Sequence, residues 1–237
     1  KAGVDVIDFV LEPLASAHSV LDDNERKLGV ILVDIGGGTT DVIVYHEDGV
    51  LHAGTVPLGG TNITYDIAYG VQTTLEQAEQ LKCEYGSAKS ALADPEENIN
   101  ITGTNGRESK TISRKNLAGI IEPRMDEIFR LVKNEIRKSD YPGDYTFGIV
   151  LTGGGSRLEH VTDLAQEIFQ QPIKVGQPQL SGGVSEKVNN PRYSTGVGLI
   201  NYGRQNWTEL EYGNHMDINS MFKGSFTKLS KWLKNWY

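Results

Sequence analysis

Residues 33–45, VDIGGGTTDVIVY, set two β-forming runs on either side of an acid, three consecutive glycines and two threonines. The interruption is too short for a crossover, so it predicts antiparallel neighbours joined by a tight turn. Three glycines in a row cost chain entropy and give a core nothing to bury. The stretch therefore predicts a backbone that something else must approach closely. An Asp ending a buried strand, followed by glycines and hydroxyls, suits a phosphate. Backbone N–H groups face the anion, the threonines add donors, and Asp34 can hold Mg²⁺ through water. For GGGTT in isolation a plain glycine-rich hairpin remains the alternative.

A second cluster changes the weighing. LTGGGS at 151–156 also follows a predicted buried strand, FGIVL, and is expected to open a helix, an anion-receiving arrangement. Neither cluster is a Walker A sequence or a G-x-G-x-x-G fingerprint. The surrounding pattern is α/β. Strands are expected at 5–11, 29–35, 41–46, 50–57 and within PIKVGQP, and a helix opening near Thr61. Thr74 caps the next helix, with Gln77 in capping-box position and Gly86 as its stop. A short hairpin turns at Asn105-Gly106, and Ser113 caps a helical run. Pro123 is expected to start a new helix reaching about Lys138, since a helix interior has no place for it. STGVGLINYG closes the body as a small-residue helix, and 204–220 reads as a polar linker.

Composition narrows the function classes. A single cysteine, Cys83, excludes an internal disulfide and fits a reducing compartment. No stretch approaches the roughly 20 apolar residues of a membrane span. The start, KAGVDVIDFVLEPLAS, has no initiator Met or signal-peptide pattern, and the expectation is a fragment lacking an N-terminal part. The net charge of −8 argues against nucleic acid as a partner of the body. The five histidines are dispersed without zinc-ligand spacing. Cys83 is expected to pack on its helix, and Ser156 lacks a G-x-S-x-G elbow.

Two helical stretches carry surface chemistry. In PRMDEIFRLVKNEIR, 123–137, Met125, Ile128, Phe129, Val132 and Ile136 form one stripe, expected to be core. The other face carries Arg124, Arg130, Lys133 and Arg137, which on composition alone is a solvated charged face. The tail MFKGSFTKLSKWLKNWY holds four lysines and no acid. At 100° per residue Phe222, Phe226, Leu229, Trp232, Leu233, Trp236 and Tyr237 fall within about 140°, with Lys223, Lys228, Lys231 and Lys234 opposite. A packed terminal helix and a coiled coil are the alternatives. The aromatic face, the polar linker and the absence of opposite charges favour a bilayer interface.

These motifs together carry a resemblance. DIGGGTTD looks like the second phosphate loop of the actin, Hsp70 and sugar-kinase superfamily, and LTGGGS resembles its adenosine loop. With EPLASAHSVLDDNERKLG, AEQLKCEYG, IIEPRMDEIF and YSTGVGLINYG in that order, plus the lysine-rich amphipathic end, the chain resembles the FtsA family of actin-like bacterial cell-division proteins. The resemblance implies an actin-like, ribonuclease H-like mixed sheet. Its subdomain 2A would take 1–61 and 145–190, an inserted subdomain 2B 62–144, and a returning helix of 1A 191–203. The linker 204–220 and an amphipathic membrane helix, 221–237, would follow. It implies ATP and Mg²⁺ as cofactors. Asp34 would touch the metal's water shell, Gly36, Gly37, Gly38, Thr39 and Thr40 would wrap the β- and γ-phosphates, and Gly153, Gly154 and Gly155 would pass under the adenosine. Glu79 and Lys82 match a pair holding the ribose and adenine edge, and would otherwise be a solvated helix salt bridge. Glu12 matches a water-orienting position, and would otherwise be a strand-end residue.

The implied partners are the C-terminal peptide of FtsZ, with Arg124 as first contact, other copies of the chain, other division proteins and an anionic membrane surface. The implied location is the cytoplasmic face of the bacterial inner membrane at the division site. Two function classes follow: an ATP-binding adaptor tying FtsZ to the membrane, at most a weak ATPase, or a phosphotransferase such as a sugar kinase. A kinase has no use for a membrane-seeking tail, and no acceptor-binding signature is present, which favours the adaptor.

Overall fold

Five strands form one mixed sheet in the order β3-β2-β1-β6-β7. The computed structural model describes residues 3, 6, 8–103, 108–139, 145–179 and 188–206. β1 (Val30–Ile35), β2 (Thr40–His46) and β3 (Gly49–Val56) make an antiparallel meander, Val30 facing Tyr45 and Ile35 facing Thr40. β6 (Ile149–Thr152) pairs parallel on the other side of β1, with Asp34 opposite Thr152, and β7 (Ile173–Val175) extends it in parallel. A second, two-stranded sheet joins β4 (Asn98–Ile101) to β5 (Lys110–Ser113). Its expected turn, Asn105-Gly106, lies outside the described residues.

Strand periodicity distributes the side chains between two cores. Ile31, Val33, Ile35, Val42 and Val44 pack with α3 (Gly60–Gly70), α4 (Leu75–Tyr85), α5 (Arg114–Arg137) and α6 (Val161–Phe169). Val30, Leu32, Ile43 and Tyr45 face the other way, onto α1 (Glu12–Val20). Covered on both faces, β1 is buried along its whole length, which is why its sequence does not alternate. α7 (Ser194–Gln205) crosses α1 so closely that a Cβ on Gly198 would overlap the Ala15 carbonyl.

The caps follow local chemistry. Thr74 accepts from Gln77 N at 3.2 Å and Ser113 from Asn116 N at 3.2 Å. Asp22 and Glu25 form a reciprocal capping box on α2 (Asp23–Leu28). Gly86 does end α4, with φ −66°, so a left-handed turn is not its reason. A Cβ there would meet the Lys82 carbonyl and Leu158.

Several expectations are overturned. The described residues of 5–11 are not strand, and the chain enters α1 at Glu12. Pro13 sits in the first turn of α1, where a missing N–H costs no hydrogen bond. Pro123 does not start a helix: α5 runs unbroken from Arg114 to Arg137. Leu117, Ala118 and Ile121 before it, and Met125, Ile128, Phe129 and Val132 after it, are all buried. Burial of about 1.5–3 kcal/mol for each large side chain outweighs an interior proline's cost of about 3 kcal/mol. Arg204 and Gln205, expected in the linker, belong to α7. The rest of the linker from 207, and the amphipathic tail 221–237, lie outside the described residues.

The α1–α7 crossing depends on a glycine, and Gly198→Val should lower unfolding stability by about 1–3 kcal/mol through overpacking. The urea midpoint of the variant against the parent chain checks this.

Candidate functional site

The turn between β1 and β2 closes with Gly36 N donating to Thr39 O at 2.9 Å. Its carbonyls are occupied from below, since Gly60 N donates to Gly36 O at 2.9 Å and Thr61 N to Gly37 O at 2.7 Å. The first turn of α3 thus binds the loop itself. Among the described residues the N–H groups of Gly37, Gly38 and Thr39 have no backbone acceptor, and Gly37 and Gly38 are exposed. This leaves a short row of donors facing outward, the requirement for an anion cradle.

The glycines work differently from expectation. None of Gly36, Gly37 and Gly38 has a positive φ. Space decides instead, and the tightest approach is at Gly59, where a Cβ would lie 2.7 Å from both Gly36 O and Gly37 O. Sequence reading passed over Gly59; the signal was a further glycine pair, Gly59-Gly60, just where the next helix opens. The two threonines also separate. Thr39 Oγ1 donates to Asp41 Oδ2 at 3.4 Å on the partly open side. Thr40 is fully buried and donates to Leu58 O at 2.9 Å, so its hydroxyl fastens the loop from inside.

Asp34, next to last in β1, lies on the face turned to α1 and is 6% exposed. Ser16 Oγ donates to its Oδ2 at 2.5 Å and Thr195 Oγ1 at 3.4 Å, so helices α1 and α7 both hold this carboxylate. Burial is the main cause that pushes its pKa up to about 6, against the lowering effect of the Ser16 bond. The charges of Asp41, its cross-strand partner, and Glu12 raise it further. Glu12 itself is an exposed first-turn residue of α1, near enough to Asp34 to be felt electrostatically. The hydroxyl support was not legible beforehand. It continues through Ser19, which donates to Ser194 O at 2.7 Å, and Thr152 Oγ1, 2.6 Å from Ser194 Oγ.

The second glycine cluster follows β6, parallel to β1, so the two loops lie side by side at the same strand ends. That is the crevice where open α/β sheets receive ligands. The cluster opens a 3₁₀ turn, Gly154–Arg157, and the α-helix begins only at Val161. Gly153 has φ +80°, and a Cβ there would strike the Asp34 carboxylate and come within 2.6 Å of Ile35 O. A Cβ on Gly155 would strike Ile35. Both are packing glycines, whereas Gly154 is exposed with open space above it.

Glu79 and Lys82 do pair on α4, at 2.7 Å, and the pair is not merely solvated. Lys82 Nζ also donates to Gly60 O at 2.9 Å and Thr64 Oγ1 at 2.8 Å, tying α4 to the start of α3 beside the phosphate-loop candidate. Burial pushes the Glu79 carboxyl up, but hydrogen bonds from Lys82 and Thr64 more than offset this and hold it below the usual range. Cys83 is exposed rather than packed, with Sγ donating to Glu79 Oε1 at 3.4 Å. Arg124 lies away from this cluster. It holds Asp66 of α3 in a two-bonded pair, Nε–Oδ2 2.6 Å and Nη2–Oδ1 3.0 Å. Lys133 donates to Ile168 O at 2.5 Å and Arg130 pairs with Asp126, so this face is less free than its composition suggests.

Residues 31–198 match the family described as "Cell division protein FtsA". The chain belongs to the FtsA family. It is 45% identical to the FtsA protein of Pseudomonas aeruginosa over 205 residues, covering 86% of this chain and 49% of that protein. It is 37% identical to that of Neisseria meningitidis over 238 residues, covering 99% of this chain and 58% of the relative. The chain therefore spans about half the length of the FtsA relatives it matches. Among solved structures, MreB5 of Spiroplasma citri bound to ADP superposes with TM-score 0.69 at 19% identity, covering 87% of this chain and 62% of that one. The fold is actin-like.

The raised Asp34 pKa carries a pH signature. Asp34 holds its proton more tightly folded than unfolded. The stabilisation from that proton is complete below about pH 4 and lost as pH rises through about 6. Asp34→Asn, still able to accept from Ser16, should stabilise the chain by about 1–3 kcal/mol at pH 8 without divalent cations. The difference should vanish toward pH 4. Urea midpoints of both proteins across this range test it.

Proposed function

We propose that this chain is the nucleotide-holding half of an ATP-dependent, actin-like cell-division adaptor that assembles with copies of itself and ties FtsZ to the membrane. The observation that carries the reading is the adjacency of two bare backbone turns, at Gly37–Thr39 and Gly154, on the ends of the parallel strands β1 and β6. One offers outward N–H donors without acceptors among the described residues, suited to phosphate oxygens. The other leaves an open surface for the adenosine. Gly36, Gly37, Gly38 and Thr39 would hold the β- and γ-phosphates, with Glu79 and Lys82 toward the ribose and adenine edge. Thr40 would act by fastening the loop. MreB5, which shares the fold, has been solved with ADP bound, in keeping with this use of the site.

Asp34 would meet Mg²⁺ only through water. Among the described residues no three His, Cys, Asp or Glu side chains are grouped to hold a metal directly. A carboxylate so reluctant to ionise, beside Asp41 and Glu12, suits a hydrated cation that restores its charge. Glu12, at the mouth of the same region, would orient water in a slow hydrolysis. Bound ATP would serve chiefly as a structural ligand and polymer switch.

The partner contacts rest on the family and the sequence. Arg124 would take an acidic group of the FtsZ C-terminal peptide, in competition with the Asp66 it holds in this structure. The amphipathic tail, residues 221–237, would place its aromatic face in the cytoplasmic leaflet of the inner membrane at the division site, with Lys228 and Lys231 near anionic headgroups.

Two experiments test this. In the full-length protein Gly37→Val should abolish binding of a fluorescent ATP analogue and leave the circular dichroism spectrum unchanged. A Cβ at Gly37 meets nothing closer than Thr61 Oγ1 at 3.5 Å, so the fold has room for it. Unchanged affinity would reduce the loop to a turn. Deleting 221–237 should abolish sedimentation with anionic vesicles, and Trp232→Glu should nearly do so. A truncated protein that still sediments removes the tail as the anchor.

A further inference from the structure

The carboxylate pair on β1 and β2 leaves one oxygen without a donor, and hydroxyl groups decide which. Asp34 and Asp41 are direct cross-strand partners and so lie on one face of the sheet. Thr55 Oγ1 donates to Asp41 Oδ1 at 2.6 Å and Thr39 Oγ1 to Asp41 Oδ2 at 3.4 Å, so both oxygens of Asp41 are engaged. On Asp34 the donors gather on one side. Ser16 Oγ and Thr195 Oγ1 both address Oδ2, and among the described residues no hydrogen bond reaches Oδ1. Oδ1 is the atom that a Cβ on Gly153 would strike, so it is turned toward the glycine turn after β6.

The two hydroxyls are held in place by the crossing of α1 and α7. Ser16 is fully buried, and its Oγ lies 3.0 Å from Thr195 Oγ1. Gly198 closes against Ala15, the residue before Ser16. Ser19 Oγ donates at 2.7 Å to the carbonyl of Ser194, the residue before Thr195. Each hydroxyl therefore stands next to a contact that fixes its own backbone. The last torsion of an Asp side chain is broad and roughly two-fold, so an unsupported carboxylate exchanges its oxygens. Donors on one oxygen alone remove that freedom, and a hydrogen bond to a carboxylate also favours its charged form.

We propose that Ser16 and Thr195 are positioning residues for the cation of this site: they clasp Oδ2 of Asp34 so that Oδ1 is the oxygen presented to a water of hydrated Mg²⁺. This rests on the nucleotide reading above and adds to it the side chains that aim its metal-facing group. Neither hydroxyl touches the nucleotide or the ion. Outer-shell partners of this kind change metal affinity by orienting the group that meets the metal.

The test measures ATP binding to the full-length protein in saturating Mg²⁺ and in EDTA. The proteins compared are the parent, Ser16→Ala, Thr195→Val, Thr195→Ser, Asp34→Asn and the Ser16→Ala, Asp34→Asn double variant. Ser16→Ala should weaken binding about 3- to 30-fold in Mg²⁺ and leave it unchanged in EDTA. Thr195→Val should act the same way but more weakly, its bond being longer, and Thr195→Ser should bind as the parent does. Asp34→Asn should lose the gain from Mg²⁺, and adding Ser16→Ala to it should cost nothing more. A loss equal in Mg²⁺ and EDTA, or one that persists in the Asp34→Asn background, makes Ser16 a packing residue of the crossing and overturns the proposal. A gain from Mg²⁺ that is lost in Asp34→Asn and kept in Ser16→Ala overturns this inference and leaves the nucleotide reading standing. A parent protein that binds no ATP overturns both.

Discussion

The parallel pairing of β1 with β6 is the constraint from which the rest of the molecule is arranged. It brings Asp34 opposite Thr152 and so stacks two sharp turns, one after each strand, with no room for side chains between them. Gly153 is a glycine because the Asp34 carboxylate and the Ile35 carbonyl lie where its Cβ would be. Gly155 is one because Ile35 packs there, and Gly59 because two loop carbonyls converge on it. The glycines therefore divide into those that let backbones touch each other and those that leave backbone bare. Of the two glycine clusters, Gly37, Gly38 and Gly154 are the members left exposed.

Much of this architecture was legible because its causes are local. The antiparallel β1–β2 turn followed from two β runs with too few residues between them for any other connection. Thr74 and Ser113 announced helix starts because capping depends on residues within one turn. The same logic shows what could have been read and was passed over. Asp22-x-x-Glu25 spells a capping box, and Pro13 belongs more naturally to a first helical turn than to a strand, so α1 and α2 had signals.

What failed was governed by packing at a distance. Pro123 reads as a boundary locally and is overruled by a buried stripe on both sides of it, which becomes visible only when α5 lies on the sheet and against α3 and α6. Thr40 reads as a ligand donor beside Thr39, yet strand alternation turns it inward to Leu58 O. Ser16, Thr152, Ser194 and Thr195 could not be assigned to Asp34's surroundings from sequence, since they come from α1, β6 and α7 and converge only after folding. Lys82 is a milder case: its spacing from Glu79 predicted the pair, and only the tertiary contact showed it reaching Gly60 and Thr64 as well.

The exposure of Cys83 has a practical consequence. As the single cysteine of the chain, one residue from Lys82 and within the field of Arg157, it is a ready attachment point for one fluorophore on the exposed edge of α4. Partial burial and the hydrogen bond to Glu79 hold the thiol above its ordinary pKa, so conjugation is slow at neutral pH and quickens under alkaline conditions. A dye placed there would share its surroundings with α4 and the turn after β6. Its emission would follow any movement between those two elements without a second label or an engineered site.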